Sequence, residues 1–174
     1  MKRAIYRVRQ FLAALRAAPG AADLEQLREA LSPPLLDLFC SMQAGEQAHS
    51  LQVYRRLRAD GAANPHLLAA ALLHDVGKTR SPLRLWQRAA VVLAQALIPA
   101  RARRWGQGHP HGWKRPFVTA AQHPAWGAEQ AAAAGAAPLV VALIRRHQDP
   151  PPASGPATEE DRLLLWLQRY DDES

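Results

Sequence analysis

An all-α, single-domain bundle is predicted by three features of the chain. Helical spacing of apolar residues runs through almost the whole sequence. No stretch alternates with the period of two that a half-buried strand requires. The length, 174 residues, is close to one domain at about 150 residues each.

The elements follow in order. Ile5, Val8, Phe11, Leu12 and Leu15 share one face over 3–17, with Arg3, Arg7 and Arg9 largely off it. Pro19-Gly20 stops that helix, and a short one fits 23–31. Ser32 reads as an N-cap with Pro33 at the first helical position. The helix it opens runs to about Arg58, with Gly45 as its breaking point. Leu36, Phe39 and Cys40 share a face there, which places Cys40 in or near the core.

Asp60-Gly61 is a turn, and Asn64-Pro65 repeats the cap-and-proline start. Leu67, Leu68, Ala71, Leu72 and Leu73 then form a buried helix ending at Gly77. Segment 82–98 is a strongly apolar helix closed by Pro99. Segment 105–116, with three Gly, two Pro and two His, reads as a loop. Helices are expected over 116–122, 124–134 and 138–147. The Pro-rich loop Asp149–Pro156 precedes a last helix over 158–170. Residues 1–31 are expected to form a helical extension packed on a core domain of 32–174.

Composition narrows the class. Apolar residues at 48% and charged residues at 21% suit a soluble globular chain. A chain of this size buries about 70% of its unfolded surface, so neither metal nor disulfide is needed merely to fold. One cysteine, Cys40, excludes an internal disulfide framework and a Cys-based zinc finger. The net charge of +7, nearly all from Arg, favours anionic partners and is equally the mark of an Arg- and Ala-rich coding bias. No apolar run reaches the ~18 residues of a membrane span. The N-terminus interleaves charge with apolar residues rather than forming a signal peptide, so a cytoplasmic location is expected.

Chemistry concentrates in Leu72-Leu73-His74-Asp75-Val76-Gly77-Lys78. Here an apolar helix ends in two adjacent metal-capable side chains. Burying an imidazole and a carboxylate without partners is costly, and metal coordination satisfies both. Lys78 follows as a point charge for a phosphate. His49, His123 and His147 lie in or at the ends of other helical stretches. Asp171 lies seven residues after Leu164 and four after Leu167, which turns it toward the buried face and Asp172 away from it. Each of these has a plain structural alternative. His74-Asp75 would serve as a C-cap pair, His123 as a cap before Pro124, and His147 as a cation at a helix C-terminus.

The order His49, His74-Asp75, His123, His147, Asp171 resembles the HD-domain superfamily of metal-dependent phosphohydrolases over about residues 35–173. The wider pattern is similar to that of six-ligand, two-metal members such as the HD-type diadenosine tetraphosphate hydrolases, whose middle-histidine motif resembles His123–Ala128. The chain departs from other branches. It lacks a Gly-Tyr-Pro signature, has Arg146-His147 where the HD-GYP group has paired histidines, and carries no synthetase domain. The first 30 residues have no counterpart in those hydrolases.

The resemblance implies one metal held by His49, His74, Asp75 and Asp171, and a second by His123 and His147 with Asp75 bridging. These ligands suit Fe, Mn, Co, Ni or Zn alike. Such a pair, roughly 3.5–4 Å apart, activates a water for in-line attack at phosphorus. Asp75 and Lys78 are the expected catalytic residues, with Lys78, Arg145 and Arg146 as substrate contacts; a solvated face is the alternative for the two arginines.

Two segments fall outside that scheme. Loop 105–116, with His109, His111, Trp105, Trp113 and Lys114, suits a lid or recognition element. Segment 82–105 is more apolar than one packed face needs and is flanked by Arg84, Arg88, Arg101, Arg103 and Arg104. It reads first as a central buried helix, and otherwise as a membrane-surface or dimer contact. The expected function is hydrolysis of a small nucleotide or another phosphate ester. The rivals are a non-catalytic nucleotide- and metal-binding module and a di-iron oxygenase using the same ligands. Nucleic acid is disfavoured, because aromatic residues are only 6% and form no stripe with the basic residues.

Overall fold

A computed structural model describes residues 21–151 and 155–173, so the helix expected over 3–17 lies outside the described residues. The elements are α1 (Ala21–Ala30), α2 (Pro33–Ser41), α3 (Ala44–Ala59), α4 (Pro65–Leu73), α5 (Leu85–Leu97), α6 (Pro99–Trp105), α7 (Arg115–Ala133), α8 (Pro138–Arg146) and α9 (Glu159–Asp172). Two short 3-10 turns, Val76–Arg80 and Gly112–Lys114, interrupt the series. The described residues contain no strand, and the fold is all-α.

The central element is α4. Asn64 caps it as expected, its side-chain oxygen accepting from His66 N–H (2.9 Å) and Leu67 N–H (3.1 Å). Leu67 to Leu73 are all buried, and α1, α2, α3, α8 and α9 pack around them. A helix apolar on every side belongs at the centre of a bundle. Leu27 of α1, Phe39 of α2, Leu57 of α3, Leu143 of α8 and Leu164 of α9 complete that core. On the other side, α7 packs against the Val76–Arg80 turn and α8, while α5 and α6 lie on α7's outer flank.

Several local expectations are corrected. Pro33 opens α2, but the Ser32 side chain makes no cap bond. The break expected near Gly45 falls at Met42-Gln43, where the Gln47 amide donates to the carbonyls of Cys40 (3.0 Å) and Met42 (3.0 Å) and replaces the missing helix bonds. Cys40 is exposed, because α2 buries only the narrow stripe of Leu35 and Phe39. Helix α4 stops at Leu73 rather than Gly77. Pro99 opens α6 as well as ending the previous helix. Segment 82–98 is not a central buried helix: of α5 only Val91 is buried.

The two helices expected over 116–134 are one, with Pro124 inside it. Proline cannot serve the carbonyl four residues back, which here is Ala120. That carbonyl instead accepts from His123 Nδ1 at 3.0 Å. The side chain next to the proline therefore repairs the helix.

Candidate metal centre

Five of the six expected ligands come from places where a helix ends or is locally disturbed. His74 and Asp75 follow the last turn of α4, His147 follows α8, Asp171 sits in the final turn of α9, and His123 lies beside Pro124. His49 comes from the middle of α3. All six converge on one cluster, in which His74, Asp75, His123 and His147 are buried and His49 and Asp171 half-buried. His49, His74 and Asp75 can offer atoms to one ion, and Asp75, His123 and His147 to another. Asp171 joins the first group, its Oδ1 lying 2.8 Å from His49 Nε2 and 3.3 Å from His74 Nε2.

Asp75 stands between the groups. Its Oδ1 lies 3.2 Å from His123 Nε2 and 4.0 Å from His147 Nε2. Its Oδ2 lies 3.7 Å from His74 Nε2 and 2.6 Å from Lys78 Nζ. One carboxylate thus turns an oxygen to each half, the disposition a bridging ligand needs.

The backbone sets the ring orientations. His74 Nδ1 donates to Ala71 O (2.9 Å), His123 Nδ1 to Thr119 O (3.1 Å) and Ala120 O, and His147 Nδ1 to Ile144 O (2.7 Å). A carbonyl only accepts, so the Nδ1 proton is fixed and Nε2 is left to face the centre. Each of these histidines sits three residues after a carbonyl that its helix leaves open or shares. This second layer of contacts is built into the helix ends themselves.

The donor set fits a divalent metal. His74 Nε2 is fully buried and makes no well-aligned hydrogen bond; its near neighbours are the carboxylates of Asp171 (3.3 Å) and Asp75 (3.7 Å). Nε2 of His123 and Nε2 of His147 are 3.2 Å apart. With both Nδ1 protons committed to carbonyls, the two Nε2 atoms approach this closely only with a cation between them, a metal ion or a proton. Imidazole and carboxylate together suit first-row transition metals.

Electrostatics agree. Burial opposes protonation of His74, yet Asp75 and Asp171 overcome it and raise its pKa to about 9. Burial pushes His147 down to about 3, helped by the positive charge of His74 and His123. Burial likewise opposes ionisation of Asp75, but Lys78, His74 and His123 hold its pKa well below the usual carboxylate range. Asp171 is lowered against its own burial by His74 and His49. The cluster keeps both carboxylates ionised and recruits positive charge.

Gly77 makes the centre possible, though not by the sharp turn its position suggests. Its φ is not positive. A Cβ at Gly77 would lie 2.0 Å from His123 O and 2.5 Å from Gly127 N. The missing side chain therefore lets the turn carrying Asp75 seat directly on the α7 backbone that carries His123. Gly127 completes the contact, since a Cβ there would lie 3.1 Å from Gly77 N.

Two clefts border the cluster. One, of about 190 Å3, is lined by Lys78, His123, Thr119 and the apolar Leu83, Val91 and Val92. The other, of about 350 Å3, is lined by His49, Asp75, Lys78 and Asp171. Glu46, Arg88 and Gln148 border both. Lys78 and Arg88 are thus the cations common to both clefts, Arg88 paired with Glu46 and Lys78 with Asp75. Arg145 is exposed. Arg146 is held by Glu160 (2.5 Å), Asp161 (3.0 Å) and Asp149 (3.6 Å), and neither arginine lines these clefts. His109 and His111 line neither cleft, and the loop around them is closed on Trp105, which packs on Trp113 (5.1 Å) and Phe117 (5.0 Å).

Sequence reasoning passed over Glu46. Its side chain is buried, burial raises its pKa, and Arg88 of α5 pairs with it at 2.5 Å. Its place one helical turn before His49 was the available signal.

Among curated proteins and among solved structures, no match is found. Against protein-family models, the HD domain matches residues 47–172, a span that opens two residues before His49 and closes one after Asp171. The chain therefore belongs to the HD-domain superfamily of metal-dependent phosphohydrolases.

Proposed function

We propose that the chain is a metal-dependent phosphohydrolase that cleaves a phosphate ester or anhydride of a small nucleotide or related phosphorylated metabolite. The observation that carries this reading is Asp75, with one oxygen turned to each histidine group and Lys78 beside it at 2.6 Å. His49, His74, Asp75 and Asp171 would hold one divalent ion, and His123 and His147, with Asp75 shared, a second. When bound, such ions supply Lewis acidity and a water whose pKa is brought toward neutrality.

The remaining work falls to the chain. Asp75 stays ionised and fixes the spacing between the two histidine groups. The carbonyls of Ala71, Thr119, Ala120 and Ile144 hold Nε2 of His74, His123 and His147 inward. Lys78 offers its ammonium to a phosphoryl oxygen at the meeting point of both clefts. Leu83 and Val91 give an apolar wall for the rest of the substrate. The larger cleft, about 350 Å3, is within the ~300–1,000 Å3 of small-ligand sites and too confined for a duplex. Arg146 holds the first turn of α9, whose last turn carries Asp171, and so supports the centre from a distance.

The test is phosphate release from a panel of nucleotides and sugar phosphates, with protein loaded in turn with Mn, Fe, Co, Ni and Zn. Turnover of one substrate class that is lost on chelation and in Asp75→Ala supports the assignment. Tight nucleotide binding without release under every metal, or activity retained in Asp75→Ala, overturns it.

A further inference from the structure

We propose that α5 and α6 form a docking face for an anionic lipid bilayer, independently of what the metal centre hydrolyses. Helix α5 is inside out. At 100° per residue, Leu85, Trp86, Val92, Leu93 and Leu97, with Ala89, Ala90 and Ala96, fall within an arc of about 160°. That arc faces outward, with Trp86 64%, Leu93 60% and Leu97 70% exposed. The opposite arc carries Gln87, Arg88 and Gln95 around the single buried Val91. Arg88 and Gln95 border the cleft that His123 and Lys78 also line. A helix on a globular protein ordinarily turns its apolar stripe inward; α5 turns its polar edge to the cleft and its apolar stripe to the outside, with Leu85 and Val92 at the stripe's edge also reaching the cleft mouths. Every exposed large apolar side chain among the described residues lies between Leu85 and Trp113.

Charge is gathered in the same place. From Val76 to Ala128 the sequence has nine Lys and Arg and no Asp or Glu. The other thirteen of the 22 basic residues face all 15 acidic ones, so the chain's net +7 arises wholly from this stretch. Arg84, Arg101, Arg103, Arg104 and Lys114 are exposed and have no ion pair among the described residues. An exposed apolar stripe flanked by unpaired cations supplies the two signals, burial and charge, that together hold a helix in an anionic interface. Trp86 and Trp113 add the amphipathic rings suited to headgroup depth. A second copy of the chain fits less well, since it would bring like charges together. A nucleic acid would leave the aliphatic side chains without bases to stack on them. No helix among the described residues is long and apolar enough to cross the membrane, so the face lies on the bilayer rather than in it.

The test is co-sedimentation of the full chain with vesicles of phosphatidylcholine alone and of phosphatidylcholine mixed with phosphatidylglycerol. Light scattering reads the oligomeric state, and circular dichroism the fold. The chain should sediment with the mixed vesicles, leave the neutral ones free, and be released by salt. The Leu93→Gln/Leu97→Gln double variant and the Arg101→Glu/Arg103→Glu/Arg104→Glu triple variant should each weaken binding about tenfold or more. All five positions are exposed, so helicity should persist; if one variant loses it, the other carries the test. Absence of binding to anionic vesicles overturns the proposal. So do wild-type binding by both folded variants, a dimer that Leu93→Gln/Leu97→Gln dissolves, and binding to nucleic acid without binding to vesicles.

Discussion

Replacing Gly77 by alanine should dismantle the metal centre from a position that offers no ligand. The new Cβ would stand 2.0 Å from His123 O, where real contacts of this kind essentially never fall below 3.0 Å. The obstacle is backbone on α7, so no side-chain rotation relieves it. Either α7 or the Val76–Arg80 turn must retreat by about 1 Å, in an interior packed to crystal-like density. Asp75 rides on one side of that contact and His123 on the other, with 3.2 Å between Oδ1 and Nε2. Metal–ligand distances tolerate only about 0.2 Å. The expected result is about 1–3 kcal/mol of lost stability, as for other overpacked interiors, and roughly 100-fold weaker metal binding. Gly127→Ala, whose Cβ would meet its nearest neighbour at 3.1 Å, should have a clearly smaller effect on both. Urea denaturation reads the first quantity, and competition with a chromogenic chelator the second. Wild-type metal affinity in a folded Gly77→Ala protein would refute the reasoning, as would a larger effect at Gly127.

Other expected outcomes follow from the same geometry. Asp75→Ala should lose bound metal and phosphate release together while circular dichroism stays helical, because α4 is complete before Asp75. Leu72→Ala, at a fully buried position, should cost about 2–5 kcal/mol in denaturant titration while leaving the ligands in place. Metal-free protein should be most stable near pH 6.5, the ordinary histidine value. Above it, the stability from His74, whose folded pKa is raised to about 9, is lost as pH climbs through that value. Below it, His147, lowered to about 3, resists the proton that the unfolded chain accepts, so stability falls as the solution is acidified. A melting temperature that rose steadily from pH 6.5 to pH 9 would contradict the first half.

Much of the fold was legible because its signals are local. Asn64-Pro65 and the apolar run to Leu73 depend only on capping and burial, and the structure keeps both. The convergence of the site residues was legible from helix periodicity for Asp171 and from the family order for the rest. What stayed hidden depends on partners distant in sequence. Pro124 reads as a helix start until the His123 side chain is seen to serve the carbonyl the proline leaves free. Gly77 reads as a turn residue until α7 is placed against it. Segment 82–98 reads as buried because apolar content alone does not say which way a helix faces. The sequence also offers Arg145 and Arg146 as equivalent neighbours. The acidic first turn of α9 separates them by engaging Arg146 alone.

Elemental analysis of untagged protein, with phosphate release measured on the same sample, bears on the whole account at once. Two transition-metal ions per chain, with release from one class of small phosphate substrate, are the predicted result. One ion per chain would contradict the bridging role of Asp75. A chain that binds no ion after exposure to Mn, Fe, Co, Ni and Zn, and releases no phosphate, would contradict the centre itself.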